Sequence, residues 1–116
     1  MKWADRSFVA LLLLGAVGHF FGSVTLIEPG SILQIWSLSG VLAVLLIVAM
    51  NVLRWRRPGD AAVAWIAGLG AAAWVLVALG FGSALHNLAD FRVVWHAAAA
   101  AGVAAFALRA ALSRGP

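Results

Sequence analysis

A chain of 116 residues that is 65% hydrophobic and 10% charged has too little polar surface to wrap a soluble core, since soluble domains carry about 25% charged residues. The formal charge of +4 is scattered over segment ends and forms no basic stripe, which argues against nucleic acid as a partner. Cysteine is absent, and that removes disulfides, thiolate metal sites and thiol redox chemistry together.

What remains is an integral membrane protein. Charge-free runs cover Ser7 to Ile27, Pro29 to Leu53, Ala61 to Ala89 and Val93 to Leu108. A hydrocarbon core about 30 Å thick needs roughly 20 apolar residues at 1.5 Å each. Three runs clear that length. The fourth does so with Arg92 and Arg109 at its ends, where long side chains reach headgroups. The expected fold is all-α: an up-down-up-down bundle of four transmembrane helices at about 7–27, 31–54, 61–86 and 90–112, in a single domain of residues 1–116.

The first helix begins after Lys2 and Arg6. Ala16-Val17-Gly18 imitates a signal-peptide cleavage site, but the apolar run continues to Ile27, so this helix is expected to stay. Two connections, Glu28-Pro29-Gly30-Ser31 and Arg57-Pro58-Gly59-Asp60, place Pro then Gly at the centre of a turn, with Ser31 and Asp60 as helix caps. The third, His86 to Asp90, ends on the capping Asp90. Connections this short make neighbouring helices antiparallel.

Positive charge sets the orientation. Lys2 and Arg6, then Arg54, Arg56 and Arg57, then Arg109 and Arg114 fall on one side, and only Arg92 on the other. Both termini and the middle loop are therefore expected in the cytoplasm. Trp3, Trp55 and Trp65 would mark the inner interface, Trp36 and Trp95 the outer, and Trp74 packs mid-membrane. Arg54-Trp55-Arg56-Arg57 reads as an anchor on anionic lipid headgroups. Seven arginines against one lysine, beside abundant Ala and Gly, point to a GC-rich bacterial genome, hence to the bacterial cytoplasmic membrane with multiple passes.

Small residues show where helices touch: Gly15, Gly18 and Gly22 in the first helix, Ala64, Gly68 and Ala72 in the third, and Ala97 to Ala105 in the fourth. Phe21-Gly22-Ser23 and Phe81-Gly82-Ser83 hint at a duplicated hairpin.

Polar residues gather in the outer half: His19, Ser23, Glu28, Gln34, His86, Asp90, Arg92 and His96, with Thr25, Ser37, Ser83 and Asn87 beside them. The deep inner half offers little except Asn51. Helix rise puts His19 about 13 Å and His96 about 9 Å below the outer rim, so the first and last helices carry histidines at similar depth. An ionisable group there is a functional candidate because lipid exposure is costly. Three readings follow: neutral imidazoles gluing the bundle, a proton or solute path, and a haem b site with His19 and His96 as axial ligands.

No motif names a reaction, and no catalytic residue, closed metal site or bound cofactor is expected beyond that haem alternative. Four helices, short loops and a histidine near the end of the third are similar to the broad layout of DoxX-like membrane proteins, but the residues that assignment needs do not stand out and it is not made. Small multidrug-resistance exporters share the length and helix count, but their central glutamate in the first helix has no counterpart, since Glu28 lies at the rim. The favoured function is association: an accessory, assembly or structural subunit whose partners are membrane lipid and another membrane protein or itself. The alternatives are a homo-oligomeric proton-coupled transporter and a haem-binding redox protein.

Overall fold

A computed structural model describes residues 1–113; Arg114, counted above as an inner-side charge, lies outside the described residues. They form four helices and no strand: α1 Lys2–Leu26, α2 Ile32–Arg56, α3 Ala61–Ala84 and α4 Phe91–Leu112. All four are long and apolar enough to cross a membrane.

The turns follow local chemistry. Gly30 and Gly59 take φ of +76° and +115°, the positive values that the Pro-Gly pairs imply. Ser31 Oγ accepts from the Gln34 amide, Asp60 from that of Val63 and Asp90 from that of Arg92, so each downstream helix starts on a side-chain cap.

Three boundaries differ from expectation by two residues or more; one is the end of α2, which runs on to Arg56 rather than stopping at residue 54. Helix α1 starts at Lys2 rather than near residue 7, because nothing in residues 2–6 breaks a helix and Asp5 suits the positive end of its dipole. Helix α3 stops at Ala84 rather than at residue 86. The amides of His86 and Asn87 turn back to the carbonyls of Ser83 and Gly82, and His86 takes φ +53°. This is a Schellman stop with histidine where glycine is usual.

The bundle is antiparallel, with neighbours in chain order plus α1 against α4, while α2 and α4 barely meet. Inward residues recur at steps of three and four. On α1 they are Asp5, Val9, Leu12, Ala16, His19 and Ser23; on α4, Val93, His96, Ala100, Val103, Ala107 and Ala111. An apolar buried layer of Leu12, Ala16, Val44, Ala71, Ala100 and Val103 fills the middle. Helices α3 and α4 lie closest because small residues line the contact. A Cβ added at Gly68 would come within 3.1 Å of the Leu108 backbone nitrogen.

Polar bonding respects the hairpins. Asp5, His19 and Ser23 of α1 bond to α2, and Trp74 of α3 bonds to α4. Between hairpins, among the described residues, the Trp95 indole donates to the Leu11 carbonyl at 2.8 Å, and Arg109 reaches the Met1 sulfur at 3.4 Å.

Candidate functional site

The inward stripes of α1 and α4 bring His19 and His96 together, with ring centroids 6.3 Å apart and planes crossing at 77°. Each imidazole is half-buried and held by the other helix of its own hairpin. His19 Nε2 lies 3.1 Å from both the carbonyl and the hydroxyl oxygen of Ser37. The Ser23 hydroxyl donates its one proton to the His19 carbonyl at 2.7 Å. Its contact with Ser37 Oγ must then use the Ser37 proton, which leaves His19 Nε2–H as the donor toward Ser37. On the other side, Trp74 Nε1–H donates to His96 Nδ1 at 3.2 Å, and an indole nitrogen can only donate. A neutral His96 therefore carries its proton on Nε2. Each ring thus bonds to the other helix of its own hairpin, and His96 also packs against Gly15 of α1.

Two clefts flank this pair. One, about 590 Å³, opens between α1 and α4 beside Gly15, Gly18, Gly22 and Trp95. The other, about 300 Å³, opens between α2 and α3 beside Trp36, Gly40, Trp74 and Phe81. His19, Ser37, Arg92 and His96 line both. The clefts are thus two ends of one slot between the hairpins, interrupted by the histidine pair. Among the described residues, nothing beyond the adjoining turns of α1 lies within 4 Å of where a Cβ would stand at Gly18 or Gly22. Gly15 is filled instead, since a Cβ there would meet His96 Nε2 at 3.0 Å.

The remaining outer-half residues divide. Gln34 stitches the α1–α2 turn, donating to the Ser23 carbonyl at 3.1 Å and accepting from the Gly30 amide at 2.8 Å. Arg92 stands at the end of the slot nearest the α3–α4 loop, paired with Asp90 at 3.0 Å and lying 5.3 Å over the Phe81 ring. The Arg92 side chain and amide beside Asp90 hold its carboxyl below the usual carboxylate range. Glu28 and His86 are exposed and line neither cleft, so the eight residues do not form one cluster. The two Phe-Gly-Ser triplets also part company. Ser23 is buried and bonded, Ser83 is exposed, and Gly82 packs on Val93 where Gly22 meets open space.

The end of the bundle that carries the N-terminus and the α2–α3 loop holds a second polar centre that the sequence reading did not anticipate. Asp5 is 8% exposed and Arg54 6%, and Arg54 Nη2 lies 2.6 Å from Asp5 Oδ1. Trp55 Nε1 donates to Asp5 Oδ2 at 2.9 Å, and Arg54 Nε donates to Asn51 Oδ1 at 3.0 Å. Arg54 and Trp55 are therefore turned onto Asp5 rather than onto headgroups; of the expected anchor, Arg56 and Arg57 alone are exposed. The signal was present: Asn51 and Arg54 continue the buried α2 stripe of Val41 and Val44, and Asp5 continues that of α1.

Among the described residues, no three of His, Asp or Glu converge as a metal site would require. No protein-family model, no curated protein and no solved structure matches this chain. The functional reading therefore rests on residues and geometry.

Proposed function

We propose that this chain is an accessory subunit of a bacterial cytoplasmic membrane that holds an apolar ligand in the slot between its hairpins. The observation that carries the reading is a pair of clefts meeting at His19 and His96. Their volumes fall in the range of small-molecule sites, about 300 to 1,000 Å³, and apolar walls converge there on a few polar groups. The experiment is purification in mild detergent followed by organic extraction and mass spectrometry. Wild type is expected to carry a stoichiometric small molecule. Gly18→Leu, which fills open space and removes a helix-interior glycine, is expected to keep the fold and lose that molecule. An empty wild type overturns the reading.

Pure association without a ligand is the second reading, favoured by Gly18 and Gly22, whose open face would also admit a helix of a partner or of a second copy. Recovery of a stoichiometric protein partner with an empty slot would establish it. Transport is disfavoured in a monomer. From Asp5 to His19 is about 21 Å of helix, and the layer between them is apolar and closed.

The orientation we propose puts both termini and the α2–α3 loop in the cytoplasm, with Arg56 and Arg57 at the inner surface. In this cysteine-free chain, Glu28→Cys is expected to react with an impermeant thiol reagent from outside, and Pro58→Cys only after permeabilisation. Both positions are exposed, whereas a cysteine at the neighbouring glycines would be strained by positive φ. The reverse labelling pattern would invert the topology.

A further inference from the structure

We propose that the ligand is a phospholipid with a phosphoethanolamine head, seated in the larger cleft; this rests on the ligand-holding reading above. Its phosphate meets Arg92, its ammonium meets Asp90, and one acyl chain lies over Gly18 and Gly22. The cleft is as deep as one leaflet. It has a floor, because His96 Nε2 and Trp95 Cδ1 each stand 3.0 Å from where a Cβ would be at Gly15. From there its walls run to Leu26 on α1 and Phe91 on α4, where both helices end. Gly15 to Leu26 is about 16 Å of helix, and a leaflet is half of a hydrocarbon core about 30 Å thick.

Deep in the cleft the polar groups are spent. Ser23 and Ser37 bond to His19 and to each other, Trp95 donates to the Leu11 carbonyl, and the His96 nitrogens face Trp74 and Gly15. With Trp74 packed on Gly40 as well, no flat cofactor passes between the two imidazoles. The mouth, at the end nearest the α3–α4 loop, differs. Of the five guanidinium N–H groups of Arg92, two bond to Asp90, and Asp90 Oδ2 holds a single bond, from Arg92 Nη2. A ligand matched to this cleft is apolar along its depth and polar at one end.

Charge at the mouth chooses the head. Lipid tails are as apolar as leucine, so contact along the chain selects no one lipid. Selection falls to Arg92 and Asp90, a pair of opposite charges at 3.0 Å. An anionic head would meet the Asp90 carboxylate as well as Arg92. A choline head has no N–H for Asp90 to accept. A phosphoethanolamine head brings a phosphate for the free N–H groups of Arg92 and an ammonium for Asp90, so both signs are matched by charge-assisted hydrogen bonds.

The test is native mass spectrometry of the purified protein after incubation with equal amounts of phosphatidylethanolamine, phosphatidylglycerol and phosphatidylcholine in mild detergent. Wild type is expected to retain one phosphatidylethanolamine per chain in preference to the other two. Lys2→Gln, which removes an exposed cation at the far end, is expected to match it. Arg92→Gln is expected to cut that retention about tenfold, the worth of one hydrogen bond to a charged group. Asp90→Asn keeps a capping side chain and is expected to lose the discrimination between heads. Both variants are expected to keep wild-type helix content by circular dichroism. Retention of another lipid as well or better by wild type, or no change in Arg92→Gln, overturns the proposal. So does a lipid-free dimer, which would put a second copy on Gly18 and Gly22. If native extraction yields a stoichiometric small molecule other than a phospholipid, the lipid assignment falls and the ligand-holding reading stands. A cleft that is empty on extraction and also refuses all three lipids removes both.

Discussion

Asp5→Ala is expected to destabilise the bundle by about 3 kcal/mol, the low end of the range for removing one member of a buried ion pair. Its carboxylate takes one bond from Arg54 and one from Trp55, at 2.6 and 2.9 Å. Without it the Arg54 guanidinium stays buried beside Asn51, whose own amide is committed to the Ile47 carbonyl at 2.9 Å. Arg54→Met strands the opposite charge and is expected to cost a similar amount. The double variant Asp5→Ala/Arg54→Met leaves neither charge unpaired, so it should lie closer to wild type than either single variant. Unfolding midpoints of the four proteins in one detergent check this. Strict additivity would show that the pair is not coupled.

Gly102→Ala is the second large effect. A methyl at Gly102 lands inside the Phe8 ring, which packs across from α1 and lies 6.1 Å from the Phe106 ring. Overpacking of this kind costs about 1 to 3 kcal/mol, because the ring must leave its rotamer or α1 must move away from α4. Phe8→Leu is expected to relieve the clash, so Gly102→Ala should cost less in a Phe8→Leu background than in wild type. Unfolding midpoints measure both steps. If Gly102→Ala proved as harmless as filling Gly18, the α1–α4 contact would be looser than these positions imply.

What the sequence made legible was local. Caps at Ser31, Asp60 and Asp90 and the left-handed glycines depend on four-residue chemistry, and each stands where that chemistry puts it. The shared depth of His19 and His96 follows from helix rise alone. Their partners were hidden because Ser37 and Trp74 come from neighbouring helices, and the rotation of a helix about its axis is set by packing. In the string, Arg54 looks like Arg56 and Arg57; only its register with Asn51 sends it inward. Asp5 stands before the first charge-free run and drew no reading, because the Asp5–Arg54 bond spans 49 positions. His86 looked like a third site histidine, yet the α3 stop claims its backbone and turns it to the surface.

The confinement of polar bonds to hairpins bears on how the chain is made. By the time the Pro58-Gly59 turn leaves the ribosome, α1 and α2 hold the partners of Asp5, His19, Ser23 and Arg54 between them. In lipid, that half would carry its costly groups already matched, and α3 and α4 would bring the Trp74–His96 bond between them. Shape and the Trp95 indole do most of the joining of the halves. A gene divided at the middle loop would therefore yield two fragments that insert independently and meet afterwards, as the two stages of assembly do within one chain.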